Sequence, residues 1–113
     1  MNRLTRLALL TAVPACLLGA GLAHAADEAA IANKAKEVCA ACHGPDGNTP
    51  TGPDFPKLAG QHYDYLLHSL KSYKSGARKN PIMAGQAQNL TLQEMEGLAA
   101  YYSRQQGTLV TKK

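Results

Sequence analysis

The sequence predicts an all-α domain: three main helices joined by two long loops that wrap a guest group. Three observations carry this. No segment alternates apolar and polar residues in a run rich in Val, Ile or Thr, so strand signals are absent. Apolar residues recur at helical spacing in three separate segments. The connecting stretches are longer than three helices require, and long structureless loops in small domains are usually functional.

A leader comes first. Arg3 and Arg6 precede the uncharged run Leu7–Leu18, and Ala23-His24-Ala25 offers small residues where a signal peptidase reads. We read residues 1–25 as a secretory signal peptide and 26–113 as the domain, with the general secretion route favoured because no twin-arginine pair is present. An uncut anchor and a lipidated Cys16 are the alternatives. Removing Arg3 and Arg6 leaves ten Lys/Arg against eight Asp/Glu in the mature 88 residues, a net charge of only +2. That is too mild for nucleic-acid binding, which needs a dense basic face. Loss of Cys16 leaves two cysteines, and export places them in an oxidising compartment. With no Trp and one Phe, so short a chain has a thin core and needs a staple.

The first helix is expected over Glu28–Ala41, with Ile31, Ala35, Val38 and Cys39 on its buried face and Gly44-Pro45 as its stop. The stretch from Gly44 to Gly60 follows as a loop with four prolines. The second helix is expected over Gln61–Ser75, with Tyr63, Leu66, Leu67, Leu70 and Tyr73 as its apolar stripe and Gly76 as its stop. A second loop spans Ala77–Leu90. The third helix is expected over Leu92–Gln106, opened by a Thr91/Glu94 capping box and closed by Gly107. Leu92, Met95, Leu98, Ala99 and Tyr102 form its buried face.

The chemistry lies in Cys39-Ala40-Ala41-Cys42-His43, the C-x-x-C-H pattern of covalent haem c attachment. Two thiols three residues apart on a helical turn reach the two vinyl groups of one porphyrin, and the following histidine lies under the iron. A zinc site would need four ligands and there is no second cysteine pair. A redox dithiol would sit among strands, and a Cys39–Cys42 disulfide closes too small a loop to stabilise much.

For the second axial ligand the mature chain offers Met83, Met95, His62 and His68. Met95 lies on the apolar stripe of the third helix and reads as core. Met83 stands in a loop just behind Pro81, which stiffens the backbone beside it. His68 reads as solvated and His62 as local to the start of the second helix; ligation by either would give a bis-histidine site. Arg78, five residues before Met83, is a candidate partner for a haem propionate. Lys57, Lys71, Lys74, Arg78 and Lys79 gather positive charge in mid-chain, either as a docking face or as ordinary solvating charges.

The segments CAACHGPDGN, FPKLAGQ, PIM and LAAYY, in that order between Ile31 and Tyr102, resemble class I cytochrome c. The chain is most similar to the small periplasmic single-haem type, itself similar to one half of the two-haem periplasmic cytochromes. The resemblance implies one covalent haem c with His43 and Met83 as metal ligands. It implies that the Pro56 carbonyl orients the His43 ring, with Leu58 beside it, and that Leu98 and Tyr101 mark where the last helix crosses the first. The implied function is a periplasmic single-electron carrier, not an enzyme, exchanging electrons with redox proteins of the respiratory chain or with a dehydrogenase. The mature chain is expected to have no membrane span, and the reading specifies no oligomeric state. The alternatives are an electron-transfer subunit of a larger dehydrogenase and a haem enzyme or sensor with an open iron site. Five-coordinate bundle proteins usually carry the haem motif near the C-terminus, whereas here it begins fourteen residues into the mature chain.

Overall fold

A computed structural model describes residues 19–109 and, from Asp27 onward, their side chains. Arg3, Arg6, the apolar run to Leu18 and Cys16 lie outside the described residues. Those described are all-helical and contain no strand. Helix α1 (Gly19–Lys34) continues through one π-helical turn (Ala35–Cys39) into the short α2 (Ala40–His43). Then come α3 (Tyr63–Ser75), α4 (Pro81–Gln88) and α5 (Leu92–Ser103). No described helix is long and apolar enough to cross a membrane.

The first helical segment differs from expectation in its start, its interior and its end. It is already helical at Gly19, the first described residue, and runs to His43, not from Glu28 to Ala41. Val38, expected on the buried face, is 47% exposed. The π turn is the reason. The residues turned inward are Ile31, Ala35, Cys39 and His43, three steps of four residues. On a regular α-helix three such steps drift by about 120°. The wider turn, with Ala40 N–H bonding to Ala35 O, takes up part of that drift and leaves Val38 facing solvent.

Helices α1 and α5 cross at Ile31 and Gly97. A Cβ on Gly97 would lie 2.7 Å from Ile31 Cγ1, so the contact depends on a bare backbone. Helix α3 packs on both α5 and α4. The core cluster is Ala35, Leu66, Leu90, Met95, Leu98, Ala99 and Tyr102, with Leu58, Leu67, Leu70 and Tyr101 packed around it. Met95 is buried there, as its spacing predicts. The capping box of α5 forms: Thr91 Oγ1 accepts from Glu94 N–H, and Glu94 accepts from Thr91 N–H. A hydrogen bond from Lys34, 2.8 Å away, holds the Glu94 carboxyl below its usual range.

Four further expectations are corrected. Helix α3 starts at Tyr63 rather than Gln61; His62 is its N-cap residue but its side chain makes no capping bond. Helix α5 stops at Ser103, short of Gln106, and Gly107 packs against Ala59 and Gly60 instead of closing it. Leu92 and Tyr63 each begin a helix and are exposed, because a stripe buries side chains only where a partner helix covers it. The fourth is the largest. The segment Ala77–Leu90 is not a continuous loop, since α4 occupies its centre. Asn80 is extended and its side chain accepts from Met83 N–H, and Pro81 takes the first helical position. Both are start signals for a helix.

Candidate functional site

The cysteine motif straddles the end of the π turn and α2, and each of its three reactive side chains has a distinct setting. Cys39 and Cys42 are free thiols, both half-buried. Cys39 packs against the core cluster, and burial pushes its thiol above the ordinary range. His43 is the only buried polar or charged residue among those described, at 6% exposure. Its Nδ1 lies 2.8 Å from the carbonyl oxygen of Pro56. A carbonyl can only accept, so Nδ1 carries the proton and Nε2 keeps a free lone pair for a metal. Phe55 stands edge-on to the same ring, centroids 6.3 Å apart at 68°.

The loop behind the motif is built to hold this geometry. Gly44 ends α2 at φ +84°, and a Cβ there would lie 2.1 Å from Thr49 O. Thr51 donates from its backbone N–H to Cys42 O at 2.9 Å, and its hydroxyl reaches Ala41 O and Cys42 O. The last carbonyls of α2 are thereby satisfied. Asp46 Oδ1 accepts from Asn48 N–H and Thr49 N–H, and these bonds lower its carboxyl below the usual range. Asn48 ties the loop to the segment after α5, donating to Gln106 O and accepting from Thr108 N–H. Leu58 N–H bonds to Gly47 O, which brings the Pro56–Leu58 segment of the loop back towards His43.

Tyr102 joins these parts from α5. Its hydroxyl donates to Ala35 O at 3.4 Å, its ring lies against Gly47, and its carbonyl accepts from Gly60 N–H. Burial raises its hydroxyl pKa far enough to keep it protonated. Tyr101 packs edge-on against Tyr102 at 5.1 Å.

The remaining candidates lie on α3 and α4. Met83 is half-buried in the first turn of α4. Arg78 donates to Tyr65 Oη and Ser69 Oγ at 3.4 and 3.2 Å, and its guanidinium sits 4.8 Å over the Tyr73 ring. Its hydrogen bond lowers the Tyr65 hydroxyl pKa. Of the mid-chain cations, Lys57 bonds Thr108 and Lys74 bonds backbone oxygens after α3, so charge that sequence leaves unassigned is partly spent inside the fold. His68 is exposed beside Ser72. Sequence reading assigns no role to Phe55, Thr51 or Asn80, and gives Lys74 only a docking or solvating charge. Only Asn80 carries a local signal, as an N-cap residue before a helix-opening proline.

The donors present fit a haem c. They comprise two unpaired thiols on one helical face, a buried imidazole with its outer nitrogen engaged, and a half-buried thioether. No large side chain among the described residues is fully buried, and four of the nine buried hydrophobic residues are alanines, so the protein's own packing is thin.

The family model for cytochrome c matches residues 29–105, and the chain belongs to that family of electron carriers. Cytochrome c4 of Pseudomonas aeruginosa is 48% identical over 85 residues, 75% of this chain and 42% of that protein. Cytochrome c-554(548) of Halomonas halodenitrificans is 39% identical over 84 residues, 72% of this chain and 100% of that protein. A thiosulfate dehydrogenase electron acceptor of Stutzerimonas stutzeri is 42% identical over 91 residues, 76% of this chain and 42% of that protein. The crystal structure of reduced recombinant cytochrome c4 from Pseudomonas stutzeri superposes with a TM-score of 0.64 at 42% identity, covering 73% of this chain and 47% of that one. The chain spans about half the length of the cytochrome c4 proteins it matches. The resemblance to class I cytochrome c, and to one half of a longer member, is borne out. Membership implies a covalently bound haem c, and Cys39 and Cys42 stand at the spacing its attachment needs.

Proposed function

We propose that the chain is a periplasmic single-electron carrier with one haem c, attached through Cys39 and Cys42 and ligated by His43 and Met83. Export by the general secretion route and cleavage behind Ala25 belong to the same reading. The observation that carries it is the 2.8 Å hydrogen bond from His43 Nδ1 to the Pro56 carbonyl. That bond fixes the tautomer, holds the ring in one plane and makes Nε2 a stronger donor. The bound haem supplies reversible one-electron chemistry at iron. A methionine thioether favours the reduced state and a high potential. Held by both His43 and Met83, the iron would have no open position for a substrate, which favours electron transfer over catalysis. Leu58 supplies apolar cover next to the Pro56 carbonyl, and Arg78 is the candidate partner for a propionate.

The test is production in a host that matures c-type cytochromes. The expected product is coloured, has a mass of chain plus one haem, and shows in the oxidised form the weak absorption band at the red end that marks methionine–iron bonding. Met83→Ala should abolish that band and lower the potential. A folded, colourless product with the mass of bare polypeptide refutes the reading; a band that survives Met83→Ala refutes the ligand.

A second reading is favoured by the relative named as an electron acceptor of thiosulfate dehydrogenase: the chain serves one particular dehydrogenase, as its partner or subunit. Co-purification of a flavin or molybdenum subunit from the native source would support it.

A further inference from the structure

We propose that Asn80 and Lys74 are positioning residues for Met83, which they serve by pinning the two ends of α4; the inference rests on Met83 as an iron ligand.

Helix α4 cannot hold itself. It has eight residues, PIMAGQAQ, with a glycine at its centre and only Ala87 buried. Isolated helices of this length are unstable in water, and an interior glycine costs about 1 kcal/mol more. Two contacts outside the helix compensate. At the N-terminus, Asn80 Oδ1 accepts from Met83 N–H at 3.0 Å, and Asn80 O accepts from Ala84 N–H at 2.8 Å. The capped N–H is that of Met83 itself, so the candidate ligand's own backbone is tethered. At the C-terminus, Lys74 reaches across from α3 and donates to Gln88 O and Leu90 O. Gln88 Nε2 returns a bond to Lys74 O at 2.9 Å. A cation there also complements the negative end of the helix dipole. Leu90, buried just beyond, anchors the same end. Lys74 thus does internal work on α4 and is not simply a solvated charge.

The consequence concerns how easily the thioether leaves the iron. Imidazole added to the oxidised protein competes with the methionine, so its apparent affinity rises as the methionine-bound state is weakened. In the haem-bearing protein, Asn80→Ala and Lys74→Met should each lower the apparent Kd for imidazole about fivefold, the scale of a lost helix cap. Asn80→Ser, which restores a capping oxygen, should return it to within about twofold. Thr91→Ala removes the equivalent cap from α5, which carries no ligand; it should lower the denaturation midpoint and leave imidazole affinity unchanged. Unchanged imidazole affinity in Asn80→Ala overturns the inference. So does an equal gain in Thr91→Ala, which would mean general loosening. Should Lys74→Met fail to fold, the Asn80→Ala and Asn80→Ser pair decides. Met83→Ala separates the two levels: if it keeps the red-end band, the ligand reading itself has failed.

Discussion

Gly97→Ala tests the crossing of α1 and α5. The added Cβ would sit 2.7 and 2.8 Å from Ile31 Cγ1 and Cδ1. Carbon atoms in contact prefer about 3.5–4.0 Å, so the pair is about 1 Å too close. Either the helices part or Ile31 leaves its rotamer. Overpacking of this kind costs about 1–3 kcal/mol. Against it stands the gain from replacing a helical glycine by alanine, about 1 kcal/mol. The net expectation is a loss of about 1 kcal/mol, or about 4–8 °C in Tm for a domain this size. The sharper test is the same substitution in an Ile31→Ala background. With the obstructing carbons gone only the helix term remains, so Gly97→Ala should there stabilise by about 1 kcal/mol. Urea melts of the four haem-bearing proteins give the coupling, expected at about 1–3 kcal/mol. If Gly97→Ala stabilises equally in both backgrounds, the close contact does not govern this crossing.

Gly44→Ala should be far more damaging, by about 3 kcal/mol or more, because it places a Cβ 2.1 Å from Thr49 O in a conformation open essentially to glycine alone; yield and melting temperature measure it. Asp46 has its pKa depressed in the folded state, chiefly by the Asn48 N–H, so its contribution is present above the ordinary aspartate pKa and is lost as pH falls through the depressed value. The parent should therefore lose more Tm than Asp46→Asn as the pH is lowered stepwise through and below the ordinary aspartate range; equal losses would show the loop bonds to be neutral to charge. Tyr102→Phe removes a long hydrogen bond to Ala35 O and should cost about 0.5–1.5 kcal/mol, whereas Tyr102→Ala also empties core volume and should cost about 3–5 kcal/mol in a urea melt.

The parts of the fold that sequence reading captured are those governed by near neighbours. Leu66 on α3, and Met95, Leu98, Ala99 and Tyr102 on α5, are buried as spacing predicts, and the Thr91–Glu94 box caps its own helix. Val38 departs from its periodicity because that pattern assumes a constant 3.6 residues per turn, and the π turn breaks the assumption where the chain must bring both Ala35 and His43 inward. Helix α4 escapes a periodicity reading because its residues show no apolar stripe and include Gly85, and part of what stabilises it comes from Lys74 on another helix. Leu92 and Tyr63 belong to real stripes whose outer ends no partner covers.

Sequence alone determined the chemistry of attachment, because two thiols and an imidazole within five residues are placed by local helical geometry wherever the chain goes. It also determined the helical class and the faces of α3 and α5. Only the tertiary structure decided which carbonyl meets His43, that Lys74 holds the far end of α4, and that Arg78 meets Tyr65. Those contacts join residues thirteen to sixteen positions apart or lie across separate helices, and no local preference encodes a pairing that only the packed chain brings within hydrogen-bond reach.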